Sequence, residues 1–158
     1  SSDLNKIGRN KFYKNKKITK LSLMTDVNGF PLSILFMKGN YHDTSVFHKH
    51  VRDAVIILPK KNFKIIADKA YASNKNYSLL QQKNIPFIIP PRKNMKVALN
   101  YIYNKNEYKS RIKIEHVFSK LKCYKRINCR YDKYLRYFSS YVLLALTLLS
   151  SNIIDRLI

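Results

Sequence analysis

Acidic residues are scarce in this sequence. Its 158 residues include 9 Asp and Glu against 31 Lys and Arg, which gives a net charge of +22. Such an excess destabilises a compact chain by self-repulsion unless a polyanion supplies the counter-charge. Nucleic acid is the usual polyanion, and an anionic membrane surface or a ribosomal setting is the alternative. The charge balance therefore predicts a protein that binds nucleic acid.

Cysteine is also scarce. Cys123 and Cys129 are the only two, and they lack the C-x-x-C spacing of a zinc site. Two cysteines do not make a disulfide framework either, which indicates a reducing compartment. The first six residues contain no apolar run, so no signal peptide is predicted.

Charged residues are absent from positions 138–154. A run of about 17 residues lies at the lower limit for a membrane span. This run also contains four serines and an asparagine, so a helix packed against a sheet explains it better. We therefore predict no membrane insertion and a packing helix over residues 134–156.

Apolar patterning predicts alternating strands and helices along the chain. Residues 18–25 and 30–38 flank Asn28-Gly29, a strong signal for a two-strand hairpin. Further strands are expected at 63–67 and 85–89, and further helices at 46–58, 76–83 and 108–122. This order predicts one α/β domain over residues 1–158, with parallel strands in its second half.

Burial can be predicted for two of these helices. His48 and His50 lie two apart in the helix over 46–58 and do not share a face, so both are expected at the surface. In the last helix we expect six side chains to pack on the sheet: Tyr141, Leu143, Leu144, Leu146, Leu148 and Leu149.

Asp68 directly follows the apolar run 63–67. Functional sites collect at the carboxyl ends of parallel strands, so this carboxylate is a candidate metal ligand. The alternative is an aspartate that caps a turn or a short helix.

Glu115 is one of only two glutamates, and it belongs to a Y-x2-R-x3-E-x6-K pattern with Tyr108, Arg111 and Lys122. At 100° per residue these four positions share an arc of about 60° on one helix. The alternative is that Glu115 only pairs with Arg111 one turn earlier. Asp68 and Glu115 together could hold a divalent cation, and carboxylate oxygens suit Mg²⁺ or Mn²⁺.

Six short sequence motifs follow one another along the chain. They are G-R-N-K at 8–11, K-L-S-L-M-T-D at 20–26, A-D-K-A-Y at 67–71, I-P-P-R-K-N at 89–94, R-I-K-I-E-H at 111–116 and R-Y-D-K at 130–133. With the Y-R-E-K spacing around Glu115, the sequence resembles bacterial insertion-sequence transposases that carry a DDE catalytic domain.

The resemblance implies an α/β fold of the RNase H-like type, a mixed sheet flanked by helices. It implies metal-dependent phosphodiester hydrolysis and strand transfer during transposition, with two Mg²⁺ or Mn²⁺ ions. Asp68 would be the second catalytic acid and Glu115 the third. The first aspartate and its strand are expected immediately upstream of Ser1, so the chain would lack the first strand, and Asp3 is the alternative. A catalytically inactive or repurposed DNA-binding remnant is the other reading.

The resemblance and the charge also predict DNA contacts. Eight residues are expected there: Tyr108, Arg111, Lys122, Lys69, Arg92, Lys93, Lys125 and Arg126. For Lys125 and Arg126 a solvated loop is the alternative. The implied partners are transposon-end and target DNA, and the implied active assembly is a homodimer. The expected location is cytoplasmic or nucleoid-associated, or nuclear in a eukaryotic host.

Overall fold

The computed structural model describes residues 8–10, 16–58, 62–95, 102–132 and 134–154. Over these residues the chain is mixed α/β, which confirms the predicted class. In chain order the elements are β1 (Gly8–Asn10), β2 (Lys16–Thr25), β3 (Pro31–Lys38), α1 (Phe47–Ile57), β4 (Ile65–Ile66), α2 (Asn74–Gln82), β5 (Phe87–Ile88), α3 (Lys105–Tyr108), α4 (Ile112–Cys123), α5 (Lys125–Asn128) and α6 (Leu135–Ile154).

The chain divides into two compact units. The first comprises Ser1–Tyr41 and Lys113–Ile158, and the second comprises His42–Ile112. Each has its own buried cluster of apolar side chains. The grouping of the whole chain into one domain stays a prediction.

An antiparallel sheet in the order β1-β2-β3 forms the first unit together with α4, α5 and α6. The predicted hairpin is confirmed, because β2 and β3 pair in register with Leu23 opposite Ile34. In the turn, Asp26 Oδ1 accepts hydrogen bonds from the backbone N–H groups of Asn28 and Phe30, at 2.9 and 2.7 Å. Gly29 has φ +90°, a conformation that side chains disfavour, which explains the Asn-Gly signal.

Helix α6 packs on this sheet along one face only. Its core positions are Leu135, Phe138, Val142, Ala145 and Leu146. The prediction was right for Leu146 and Leu149, but Leu143, Leu144 and Leu148 are exposed. A helix that contacts a sheet along one stripe must turn its other residues away from it. In the part of the chain that the structure describes, none of the helices combines the length and the apolarity that a membrane span requires.

Two parallel strands lie at the centre of the second unit. Ile65 pairs with Phe87 and Ile66 with Ile88, so the parallel strands predicted for the second half are confirmed. Helices α1 and α2 pack around this pair, and the cluster includes Val51, Leu80 and Ile89. Among the described residues the strands form two small sheets, and the RNase H-like arrangement stays a prediction.

His50 corrects one expectation. Its side chain is 3% exposed and belongs to the buried stripe of α1, with Phe47, Val51 and Ala54. The four positions follow the spacing i, i+3, i+4 and i+7, which is one helix face. Burial lowers the pKa of His50 to about 4, against a smaller opposing effect of Asp53. The histidine is therefore a neutral core residue, whereas His48 is exposed as predicted.

Candidate active site

Asp68 lies two residues beyond β4, where the parallel ladder ends. The last rung is the hydrogen bond from Ala67 N–H to the carbonyl of Ile88, at 3.0 Å. Asp68 itself is extended and begins a 3₁₀ turn over Lys69–Tyr71, and its Oδ1 accepts from Ala70 N–H at 3.0 Å. The capping alternative is thus correct in geometry. It involves one carboxylate oxygen, and the side chain remains 43% exposed.

Arg92 stabilises the turn that follows Asp68 through two hydrogen bonds. Its Nη2 donates to the carbonyl of Ala70 at 2.7 Å, and its Nε donates to the carbonyl of Lys69 at 3.4 Å. Arg92 is exposed, so its guanidinium still has an open side. Lys69 and Lys93 are exposed, and with Arg92 they surround the turn with positive charge.

Arg111 contacts the other oxygen of Asp68. Its Nη1 lies 3.6 Å from Asp68 Oδ2, and its own side chain is 29% exposed. The guanidinium carbon lies 5.6 Å from the centre of the Tyr108 ring, which is cation–π distance. The structure therefore brings together three members of the predicted site in the second unit: Asp68, Tyr108 and Arg111.

Tyr108 has an altered acidity. Burial raises the pKa of its phenol above the ordinary value of 10, and the charge of Asp68 and the neighbouring Tyr103 add to this. Arg111 opposes the shift. A phenol whose pKa is 10 or higher is protonated at neutral pH, so Tyr108 can donate a hydrogen bond to an anion beside Arg111.

An ion pair holds helix α3, which carries Tyr108, in the second unit. Lys64 Nζ lies 2.7 Å from Glu107 Oε1. At the start of α3, Asn104 Oδ1 accepts from the backbone N–H groups of Asn106 and Glu107, which is an N-cap. These local contacts orient the segment that ends at Arg111.

The remaining predicted residues belong to the first unit. Glu115 lies in the first turn of α4 and Lys122 in its last turn, and both are exposed. They are seven positions apart, so they share a helix face. Lys125 is exposed at the start of α5. Whether Asp68 and Glu115 hold an ion together stays a prediction.

Arg126 is engaged within its own unit. Its Nη2 and Nε donate to the two carboxylate oxygens of Asp132 at 2.6 and 2.9 Å. Its guanidinium also lies over the ring of Tyr141, 5.0 Å from the centre. The hydrogen bond from Arg126 lowers the pKa of Asp132 below its ordinary value. Asp132 therefore neutralises much of the charge that Arg126 could offer to DNA.

Carboxylate chemistry at Asp68 fits Mg²⁺ or Mn²⁺, because these ions prefer hard oxygen ligands. One oxygen is held by the Ala70 N–H and the exposed group can receive an ion at the other. In the part of the chain that the structure describes, no three His, Cys, Asp or Glu side chains form a cluster that could hold a metal.

Comparison with known families decides the ancestry of the chain. The family model described as Transposase DDE domain matches residues 5–150, nearly the whole length. The chain belongs to this family. No curated protein and no solved structure matches it significantly. The matched region contains all ten predicted site residues. The predicted DDE transposase family is confirmed, and the Y-R-E-K signature stays a prediction.

Sequence reasoning missed several partners within this DDE domain. Asp132 is the only acid between residues 116 and 154, and that isolation in a basic stretch was the available signal. The Lys64–Glu107 pair and the place of Tyr103 beside Tyr108 had no such signal. They join positions that only the folded second unit brings together.

Proposed function

We propose that the chain carries the catalytic centre of a DNA transposase, with an RNase H-like arrangement of its strands. The reaction is metal-dependent phosphodiester hydrolysis followed by strand transfer. Asp68 and Glu115 serve as two of the acidic ligands of this centre. The substrates are transposon-end and target DNA, the assembly is a homodimer, and the protein acts in the cytoplasm or at the nucleoid.

The arrangement of Asp68 and Arg111 carries the proposal. A half-exposed carboxylate at the end of a parallel strand lies 3.6 Å from the arginine of the Y-R-E-K pattern. Glu115 follows Arg111 by four residues in the Y-R-E-K pattern. A site that must hold both cations and phosphates needs acids and bases side by side in this way.

Each residue has a defined role in this proposal. The carboxylates of Asp68 and Glu115 hold the divalent ions. Arg111 neutralises a phosphate oxygen, and the neutral Tyr108 phenol donates a hydrogen bond to the same group. Arg92 keeps the Asp68 turn in place through the carbonyls of Lys69 and Ala70. When bound, the divalent ions supply Lewis-acid stabilisation of charge on the attacking and leaving oxygens.

The test is a cleavage assay on the full-length gene product. The substrate is a labelled duplex made from the DNA that flanks the gene on each side, incubated with Mg²⁺, Mn²⁺ or EDTA. We expect nicking that requires the metal. Asp68→Asn keeps an oxygen that accepts from Ala70 N–H, so it removes the charge and preserves the turn. This variant and Glu115→Gln should each lower the rate at least about 100-fold while DNA binding persists.

A matched control is available in the chain. Asp53→Asn changes an acid of α1 that pairs with Arg52. This control should retain cleavage. If the Asp68 and Glu115 variants cleave as fast as the unmodified protein, the site assignment is wrong. DNA binding without any metal-dependent nicking would favour the DNA-binding remnant instead.

A further inference from the structure

Two tyrosines at the start of α6 present half-exposed rings around one arginine. Tyr134 is 47% exposed and Tyr137 is 50% exposed. Their ring centres lie 6.0 Å apart in an edge-to-face arrangement. The guanidinium carbon of Arg136 lies 5.4 Å from the Tyr134 ring and 4.8 Å from the Tyr137 ring. We call Tyr134, Arg136 and Tyr137 the tyrosine–arginine patch.

The patch is distinct from the packing of α6 on its sheet. Leu135 and Phe138 occupy the buried positions of this turn, and the patch residues lie on the outer side. One exposed aromatic ring would need no explanation. Two adjacent rings that share a guanidinium are different, because a guanidinium can stack on a ring and still donate hydrogen bonds from its edge. Arg136 already makes one such bond, to the Tyr137 hydroxyl at 3.2 Å.

The surrounding segment is strongly cationic. Seven Lys and Arg lie between residues 120 and 141, namely Lys120, Lys122, Lys125, Arg126, Arg130, Lys133 and Arg136. The single acid among them is Asp132, whose side chain is only 8% exposed and is bound by Arg126. The charge of this stretch is complementary to a phosphate backbone.

We infer that the tyrosine–arginine patch binds single-stranded DNA, with unpaired bases stacked on Tyr134 and Tyr137 and a phosphate on Arg136. Exposed aromatic rings beside cations are the chemistry by which proteins hold unpaired strands without reading sequence. Phosphates of a duplex need only cations, and its base faces are covered by stacking. Exposed rings therefore favour the unpaired strand. The choice of DNA over RNA rests on the family, because stacking alone does not distinguish them.

The absence of tryptophan from the sequence allows a direct test. Tyr137→Trp places a single fluorescent indole in the patch. Tyr41→Trp is the matched control, because Tyr41 is 47% exposed in the same unit and also has a cation over its ring, Lys38 Nζ at 5.9 Å. Each protein is titrated with a 15-nucleotide oligo(dT), with a closed hairpin duplex of equal phosphate content and with oligo(rU), all in EDTA.

Oligo(dT) should quench the indole of the Tyr137→Trp variant strongly, and the duplex should quench it much less at saturation. Tyr137→Leu should weaken oligo(dT) binding about fivefold or more, and so should Tyr134→Leu. Tyr137→Phe should bind as the unmodified protein does. Equal quenching of the Tyr41→Trp control, or equal quenching by the duplex, overturns the inference. Binding of oligo(rU) about ten times tighter than oligo(dT) assigns the patch to RNA and also overturns it.

The result is separate from that of the cleavage assay. The titrations contain no divalent metal, and they can be repeated with Asp68→Asn added, which should leave the quenching unchanged. A failure of cleavage would therefore leave the patch standing. A failure of stacking would likewise leave the roles of Asp68 and Glu115 untouched.

Discussion

The guanidinium of Arg111 lies 3.6 Å from Asp68 Oδ2, the oxygen not used by the Ala70 N–H. In the absence of DNA this positive charge competes with a divalent ion for the same carboxylate. An ion pair this exposed is worth at most about 1 kcal/mol.

Replacing Arg111 should therefore strengthen metal binding in the DNA-free protein. Arg111→Ala is expected to tighten Mn²⁺ binding by about fivefold or less, which is what about 1 kcal/mol represents. The same change should weaken DNA binding, because a phosphate contact is lost. Electron paramagnetic resonance of free Mn²⁺ measures the first effect. Arg111→Lys keeps the charge and should change metal binding little. Identical Mn²⁺ affinity in all three proteins would show that the pair does not limit metal access.

Arg92 is expected to support the Asp68 turn as well as to meet DNA. Arg92→Ala removes two hydrogen bonds to the carbonyls of Lys69 and Ala70, so the free energy of unfolding should fall by about 1 kcal/mol. Urea denaturation measures the loss. Its neighbour Lys93 is exposed, and Lys93→Ala should leave stability within about 0.5 kcal/mol. Equal stability of the two variants would remove the anchoring role.

Stability should depend on pH through His50. Burial lowers its pKa to about 4 in the folded protein, from 6.5 in an unperturbed chain. Between these values the unfolded state binds more protons, so the free energy of unfolding rises with pH up to about 6.5. The stabilisation from a neutral His50 is fully present above that pH. Acidification removes it, which lowers the free energy of unfolding by roughly 3 kcal/mol at most.

The comparison of His50→Leu with the unmodified protein isolates the pH dependence of stability that comes from His50. The variant should lose less stability between about pH 7 and pH 4, as measured by urea denaturation at each pH. His48→Leu is the control, because His48 is exposed on the same helix and its curve should run parallel to that of the unmodified protein. Parallel curves for His50→Leu as well would contradict a pKa lowered by burial.

Gly29 should not tolerate a side chain. Its φ of +90° disfavours alanine, and an added Cβ would lie 3.2 Å from Val117 Cγ2. We expect Gly29→Ala to lower the free energy of unfolding by about 1–2 kcal/mol. Gly39 ends the same hairpin without a positive φ, so Gly39→Ala should cost less. Thermal unfolding of the two variants checks this, and an equal cost would argue against strain at Gly29.

The adjacent residues Lys125 and Arg126 should contribute differently to DNA binding and to stability. Lys125 is exposed, so Lys125→Gln should reduce the slope of log DNA affinity against log salt by about 0.9 for one lost phosphate contact. Arg126 is bound by Asp132, so Arg126→Gln should change the slope less and should lower the melting temperature more. Fluorescence anisotropy at several salt concentrations gives the slopes. Equal slopes and equal stability for both variants would contradict the pairing of Arg126 with Asp132.

Local patterns in the sequence predicted much of the fold. The Asn28-Gly29 turn set the β2–β3 hairpin, because few residues other than glycine accept its backbone conformation. The abrupt end of an apolar run at Asp68 marked the end of a strand. The spacing of Tyr108, Arg111, Glu115 and Lys122 and the order of the motif blocks indicated the family that the comparison confirmed. Each of these signals is contained in a short stretch of neighbouring residues.

Only the tertiary structure decided which distant side chains meet. Arg111 reaches Asp68 across 43 positions and Arg92 reaches the Asp68 turn across more than 20, and neither residue carries a local mark of its partner. His50 looked like a surface histidine until the packing of α1 showed which face of that helix is buried. Turns and strand ends depend on local backbone geometry, so neighbouring residues are enough to predict them. Ion pairs and burial depend on how separate segments pack together, which a single stretch of sequence does not contain.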